Sequence, residues 1–136
     1  MRTILLLATI AVAVLTAAPA SLASTAQLSV SPGVVTLGSV QVGTTTENAV
    51  TLTNTGDEPV TLSGFSAFGF NGNFMVNPGT CSLGMTLAPG ESCRFSVVAS
   101  PFVVGAIKGQ YCFEGFSASS SAVACGRIVG GGIPSR

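Results

Sequence analysis

The sequence predicts an all-β fold, a sandwich or barrel of short strands, on three observations. Gly and Pro recur at short intervals, and the apolar runs between them are short. No stretch after residue 23 repeats apolar residues at the i, i+3, i+4, i+7 spacing of an amphipathic helix. The runs are rich in Val, Thr and Phe, which fit the pleated, half-buried surface of a strand. Many short strands with regular turn signals are typical of β-sandwiches and β-barrels.

Turn residues and side-chain alternation place the individual strands. Residues 54–59 and 87–92 are polar turns, in which Gly supplies a positive φ and Pro delays the next strand. In the segment 47–54, Val50 and Leu52 alternate with threonines, so one face of that strand is apolar. The predicted strands cover residues 27–30, 34–37 with 39–42 as one bent piece, 47–54, 60–65, 74–76, 93–99, 107–114 and 122–129. Inward-facing residues in the later strands are predicted to be Phe95, Val97 and Ala99, then Ile107, Tyr111 and Phe113.

Phenylalanine dominates the aromatic content, with eight Phe, one Tyr and no Trp. Phe65, Phe68 and Phe70 are predicted to crowd a Gly-rich bend that follows the strand 60–65. A row of aromatic residues can form a carbohydrate-binding platform. We interpret the Phe residues as core instead, because Phe in strands usually faces inward and Trp is absent.

The first 23 residues have the layout of a secretory signal peptide. Arg2 supplies the positive n-region, the apolar run 4–15 is broken only by Thr9, and small residues follow in 16–23. That run is shorter than the about 20 residues a membrane-spanning helix needs, which favours a cleaved signal over a retained anchor. The small residues at 21–23 predict cleavage before Ser24, with 18–20 and 24–26 as alternative sites. We therefore expect a secreted or periplasmic protein with no membrane anchor after signal removal.

The length and the charge of the chain limit its domain count and its possible partners. The 136 residues support a signal peptide at 1–23, one β-sandwich domain at 24–129 and a flexible Gly-rich tail at 130–136. Only 7% of the residues are charged, and the formal net charge is +0. Such a chain has no electrostatic footprint for nucleic acid or anionic lipid, so neither is expected as a partner.

The residues that carry most chemistry are missing. The chain has no His, which removes the commonest general base and the commonest metal ligand. It has no Gly-x-Ser-x-Gly motif and no phosphate-binding loop. Its acids show no pattern of a catalytic pair, and several lie in predicted turns; they are Glu47, Asp57, Glu58, Glu91 and Glu114. We predict no enzymatic activity, no catalytic residue, no cofactor and no metal.

Four cysteines in an exported chain indicate disulfides. Three pairings are possible, and we favour Cys81 with Cys93 and Cys112 with Cys125 because each closes a short loop. A loop of this size contributes about 3 kcal/mol in the chain-entropy model. The alternative is a metal or redox site, but the chain contains no Cys-x-x-Cys pair.

Four stretches of the chain form a recognisable pattern: Leu-Gly-Ser-Val-Gln-Val-Gly at 37–43, Val-Thr-Leu-Thr-Asn-Thr-Gly at 50–56, Leu-Ala-Pro-Gly-Glu-Ser-Cys at 87–93, and Ser-Pro at 100–101 with Val-Gly at 104–105 and Gly109. This pattern resembles immunoglobulin-like domains of the abnormal-spindle/Hydin type, and especially bacterial choice-of-anchor D repeats. The resemblance implies a seven- or eight-stranded immunoglobulin-like β-sandwich without enzymatic activity, used as an extracellular or scaffolding module. It also implies a bond between Cys81 and Cys93.

This chain departs from the resembled pattern in three respects. It holds one repeat, shows no apolar helix or sorting motif after Val129, and adds the second couple Cys112 and Cys125. The first two departures disfavour a stalk tethered to the cell wall.

Three functions are compatible with these features. The favoured one is a secreted, non-enzymatic module that binds another protein or builds an envelope or extracellular structure. A sheet edge is one surface that could accept such a partner. An alternative is a periplasmic assembly factor or pilus-type subunit that uses strand addition. A second alternative is a secreted enzyme, or an inhibitor that presents the loop 82–92 or 114–124.

Overall fold

Nine strands in two stacked sheets make up the protein in a computed structural model that describes residues 25–135. The strands are β1 Leu28–Ser31, β2 Val34–Gln41, β3 Thr46–Asn54, β4 Val60–Phe70, β5 Gly72–Asn77, β6 Thr86–Leu87, β7 Ser92–Pro101, β8 Gly105–Phe116 and β9 Ser121–Ile133. One sheet has the order β1-β3-β7-β5 and the other β2-β9-β8-β4-β6. The all-β prediction is confirmed. The predicted signal peptide and its cleavage site lie outside the described residues.

The core lies between the two sheets and is built by side chains that alternate along most of each strand. Val50 and Leu52 of β3 face the interior, as predicted, and Phe95 of β7 lies beside them. The Phe95 ring contacts the rings of Tyr111 and Phe113 from β8, with centroids 5.7 and 4.6 Å away. Each such side chain contributes about 1.5–3 kcal/mol by leaving water, and each aromatic pair adds about 0.5–1.5 kcal/mol.

Strand β2 is bent, as its sequence predicts. It pairs parallel to β9, and the register shifts between Thr36 and Ser39. Gly38 lies in this irregularity with a φ of 71°, a conformation that residues with a β-carbon rarely adopt. The bend lets one continuous strand follow the twisted edge of the sheet.

The prediction of a flexible tail at 130–136 is wrong for residues 130–133, which complete β9. Gly130 and Gly132 pair with Ile107 and Gly105 of β8, and Val40 of β2 lies opposite Gly132 on the other side. A β-carbon on Gly132 would overlap the Val103 carbonyl oxygen. These glycines permit the backbone of neighbouring segments to approach closely. The Gly-rich sequence here therefore reflects close packing and not flexibility.

The phenylalanine predictions hold only in part. Strand β4 does not stop at residue 65 but continues to Phe70, so the predicted Gly-rich bend is a strand. Phe95 and Phe113 are buried, and Phe65 and Phe74 pack against the core. The other four are exposed; they are Phe68, Phe70, Phe102 and Phe116. The alternation that buries Phe65 turns Phe68 and Phe70 outward.

The Asn54 side chain connects the turn at residues 54–59 with the turn at residues 87–92 by hydrogen bonds. Its side chain is fully buried at the end of β3. Nδ2 donates to the carbonyl oxygens of Glu58 at 2.7 Å and Leu87 at 2.8 Å, and Oδ1 accepts from the Gly56 N–H at 3.0 Å. Its backbone also pairs with the second turn, since Gly90 N–H donates to the Asn54 carbonyl at 2.8 Å. Two of the four resembled stretches therefore meet at one amide.

Tyr111 carries the only phenol of the chain. We expect its ionisation to lower the free energy of unfolding as pH rises in the alkaline range. Its hydroxyl donates to the Pro32 carbonyl at 2.8 Å, and burial raises its pKa. The folded state holds the proton more tightly, so stability present below the unfolded pKa of about 10 falls as pH rises towards the folded pKa. With no Trp present, absorbance at 295 nm follows Tyr111 alone. We expect its titration above pH 10 in the folded protein and near 10 in urea.

Tyr111→Phe is the matched control for this prediction. The variant should lose this share of the pH dependence of unfolding above about pH 10, and about 1 kcal/mol from the missing hydrogen bond. Equal titration of Tyr111 in the folded and unfolded protein would refute the argument.

Candidate binding surface

One side of the sandwich is formed by a stretch of chain that contains no charged residue. Strands β4, β5 and β6 lie at the same side, because β4 and β6 end one sheet, β5 ends the other, and β5 lies beside β4. All three come from the segment 59–90, which contains no Asp, Glu, Lys or Arg. Four large apolar side chains on this segment are exposed: Phe68, Phe70, Met75 and Leu83. We call the segment 59–90 the charge-free side.

The charge-free side includes an open strand edge. β4 pairs with β8 as far as Phe70, but β6 pairs with it only at Val60 and Thr61. Leu62 then bonds to Gly84 and Met85, and within residues 25–135 no backbone bond reaches residues 63–70 from that side. We call residues 63–70 the β4 edge. Its sequence, Ser-Gly-Phe-Ser-Ala-Phe-Gly-Phe, has none of the Lys or Pro residues that usually block edge pairing.

Exposed aromatic side chains continue from the β4 edge onto the adjoining end of the sandwich. Phe68 is 58% exposed and Phe70 75%, and they flank a shallow depression of about 170 Å³ with Lys108 beside it. The loop after β7 adds three consecutive exposed apolar residues, 102–104. Asn71 fixes this loop, since its carbonyl accepts from Phe102 N–H at 3.2 Å and its Nδ2 donates to Ala106 at 2.8 Å. Such runs in soluble proteins usually serve a function.

A larger cleft of about 410 Å³ lies at the opposite end of β4 and has a single titratable side chain in its wall. Glu58 lines it, together with Pro59, Thr61, Thr86, Phe116, Ser117 and Ala118. Hydrogen bonds from Ser117 and Ser119 hold the Glu58 pKa below its ordinary value, with Ser119 Oγ 2.8 and 2.9 Å from the two oxygens. The carboxylate therefore binds the β8–β9 turn. The residues that line the cleft include no second titratable group with which Glu58 could form an acid–base pair.

The remaining acids are dispersed. Asp57 accepts from Thr25 N–H at 2.8 Å, and Glu47 accepts from Asn77 Nδ2 at 3.3 Å. In the part of the chain that the structure describes, no three His, Cys, Asp or Glu residues gather as a metal site would need. Nor does any helix there have the length and apolar character to cross a membrane.

The four cysteines form the two local pairs favoured by the sequence. Cys81–Cys93 is buried and joins the loop after β5 to the start of β7. Cys112–Cys125 joins directly opposite residues of β8 and β9. The two loops considered for an inhibitor are mostly strand or bonded turn: of 114–124, only residues 117–120 lie outside β8 and β9.

Comparison with known proteins identifies the family of this domain. The family model for the HYDIN/CFA65/VesB-like Ig-like domain matches residues 26–122. The chain belongs to this family. The match confirms the resemblance to abnormal-spindle/Hydin-type domains and covers both turns that meet at Asn54. Among curated proteins, none matches the chain.

Solved structures of this Ig-like type are similar to the chain. The VesB protease of Vibrio cholerae has a TM-score of 0.61 and 26% identity, over 72% of this chain and 30% of that chain. The ASH/PapD-like domain 7 of human CEP192 has a TM-score of 0.59 and 13% identity, over 80% and 87%. The serine protease VesC of Vibrio cholerae has a TM-score of 0.53 and 18% identity, over 71% and 21%. The Ig-like chain thus spans less than a third of either protease.

Sequence reasoning did not locate the charge-free side, although a readable signal was present. The uninterrupted absence of charge from 59 to 90 is visible in the sequence. What the sequence could not show is that β4, β5 and β6 end two different sheets at one side. That placement depends on pairings between distant segments.

Proposed function

We propose that this Ig-like domain is an exported, non-enzymatic module that binds another protein by adding an extended segment of that protein to the β4 edge. The observation that carries the proposal is the edge of residues 63–70 that faces away from β8: these residues are uncharged, and within residues 25–135 no backbone bond reaches them from that side. Added strands gain affinity from main-chain hydrogen bonds and specificity from alternate side chains. The exposed Phe68 and Phe70 would contact the partner's side chains, which should be apolar and uncharged.

Export is supported by two features. The first 23 residues have the layout of a signal peptide, and four cysteines form two disulfides. Disulfides persist in the periplasm and outside the cell.

Lysine substitutions on two different sheet edges test the proposal. We would immobilise chain 24–136 as wild type, as Ser66→Lys/Phe68→Lys on the β4 edge, and as Ser29→Lys on β1. Ser29 is the matched control because it is exposed on a strand that ends the other sheet. Envelope and culture-medium fractions of the source organism would be passed over each, and retained proteins identified by mass spectrometry.

We expect one partner to be retained by the wild type and by Ser29→Lys and to be lost, at least tenfold, with the double lysine variant. Circular dichroism would establish that all three chains are folded. Equal retention by all three would refute the β4 edge as the binding site. Hydrolysis of a retained protein by the wild-type chain would refute the non-enzymatic role.

A further inference from the structure

The two disulfides of this domain lie in opposite surroundings. Cys81 and Cys93 are 0% and 4% exposed and belong to the core cluster. Cys112 and Cys125 point to the outer face of the five-stranded sheet, where Cys112 is half-buried and Cys125 is exposed. Buried disulfides resist exchange, whereas exposed ones are the labile or regulatory type.

The outer bond is not needed to hold its two strands together. β8 and β9 pair along their whole length, from Gly105 opposite Gly132 to Phe116 opposite Ser121. Inward residues on both strands, including Tyr111, Phe113 and Ile128, are fully buried in the core. Opening Cys112–Cys125 therefore leaves the backbone ladder and the packed face of both strands in place.

The surroundings of Cys112 favour a thiolate at that sulfur. Gln110 Nε2 donates to Cys112 Sγ at 3.6 Å. Arg127, opposite Gln110, lies on the same outer face, two residues after Cys125. Hydrogen bonding to the charged form of a group favours that form, so the Gln110 donor stabilises a thiolate at Cys112. Glu114, two residues after Cys112 on β8, extends its carboxylate towards β4, where a β-carbon on Gly64 would lie 3.6 Å from Oε2. Lys108 lies further along β8 on this face.

We propose that Cys112–Cys125 is an exchangeable disulfide that accepts an external thiolate at Cys125. The incoming sulfur attacks Sγ of Cys125, which is the more exposed of the two cysteines, and forms a new S–S bond there. The Cys112–Cys125 bond breaks, and its electron pair leaves on Cys112 Sγ, which accepts the Gln110 hydrogen bond as a thiolate. One disulfide and one thiolate enter the step and one of each leaves, so no oxidant or reductant is consumed. The domain thereby gains a covalent attachment point that does not involve the β4 edge.

The test is the site of the adduct. Oxidised chain 24–136 would be exposed to reduced glutathione at pH 8, quenched in acid at short times, alkylated and digested. We expect glutathione on Cys125 and the alkyl group on Cys112, formed at least tenfold faster than any modification of Cys81 or Cys93. Glutathione mainly on Cys112, or equal rates for the two disulfides, would overturn the proposal.

Two further arms sharpen the result. Gln110→Leu should slow opening about fivefold, the effect of about 1 kcal/mol on a leaving thiolate, while Gln41→Leu on β2 should leave the rate unchanged. Equal rates for the two leucine variants would contradict the role given to Gln110. A cysteine-containing unstructured peptide would replace glutathione in a parallel reaction. Adducts with both thiols support a protein cysteine as the natural reactant, adducts with glutathione alone support a small thiol, and adducts with neither overturn the proposal.

Discussion

Asn54→Ala should lower the free energy of unfolding by about 4 kcal/mol, because a fully buried side chain loses three hydrogen bonds together. Without the amide, the Glu58 and Leu87 carbonyls lose their side-chain donor, and the Gly56 N–H keeps only its bond to the Gln27 carbonyl. The bond to Leu87 is buried and the other two are partly buried. Each buried group left without a partner costs about 1–3 kcal/mol. Leu87 is itself fully buried, so water cannot easily replace the lost donor.

Urea denaturation followed by circular dichroism measures the effect of Asn54→Ala. The matched control is Asn73→Ala on β5, whose side chain is exposed, and we expect it to change stability by less than about 0.5 kcal/mol. If Asn54→Ala costs no more than the Asn73 control, the amide is not the link between the two turns.

Gly126→Ala should destabilise the domain by about 3 kcal/mol through overpacking. A β-carbon at Gly126 would overlap the Tyr111 hydroxyl and ring. That ring is fully buried against Phe95, and its hydroxyl is held by the Pro32 carbonyl at 2.8 Å. The ring cannot move aside without losing the hydrogen bond and displacing the core between the sheets.

Gly131→Ala on the same strand is the control for this effect. A β-carbon at Gly131 meets nothing within 4 Å, so the change should alter the free energy of unfolding by less than about 0.5 kcal/mol. The two variants would be compared by thermal and urea unfolding. Similar stabilities for both would show that Gly126 does not serve to admit the Tyr111 ring.

Local patterns predict the inward faces of this fold well. The alternation at Val50 and Leu52, and at Phe95 and Val97, identifies buried residues because one side of each strand faces the other sheet. The cysteine pairs follow from short spacing in the sequence, and the structure joins them. In these segments the physics is local, since the strand period alone decides which residues are buried.

The failures arise where a distant segment decides the outcome. Gly130 to Gly132 look like a flexible tail by composition, but β2 and β8 supply partners on both sides. Phe68 and Phe70 look like core by residue type, but the register of β4 on β8 turns them outward. The binding surface depends on both sheet orders at once, which no single stretch of sequence encodes.

The proposed role divides the surface between two regions. The charge-free side would form non-covalent contacts, while the outer face carries the exchangeable Cys112–Cys125 bond. The two regions adjoin, since Ser66 of the β4 edge lies opposite Cys112 of β8. A partner segment bound along β4 would therefore pass near the disulfide, although each proposal is tested separately.

Site-specific photocross-linking tests the central claim most directly. A benzophenone amino acid would replace Phe68 on the β4 edge or Ser29 on β1, in the full chain expressed in its own cells. After irradiation, we predict one adduct of higher mass from position 68, identified as a second protein joined through an extended segment, and none from position 29. Adducts from position 29 alone, or none from position 68 in cells that contain the folded chain, would contradict the account.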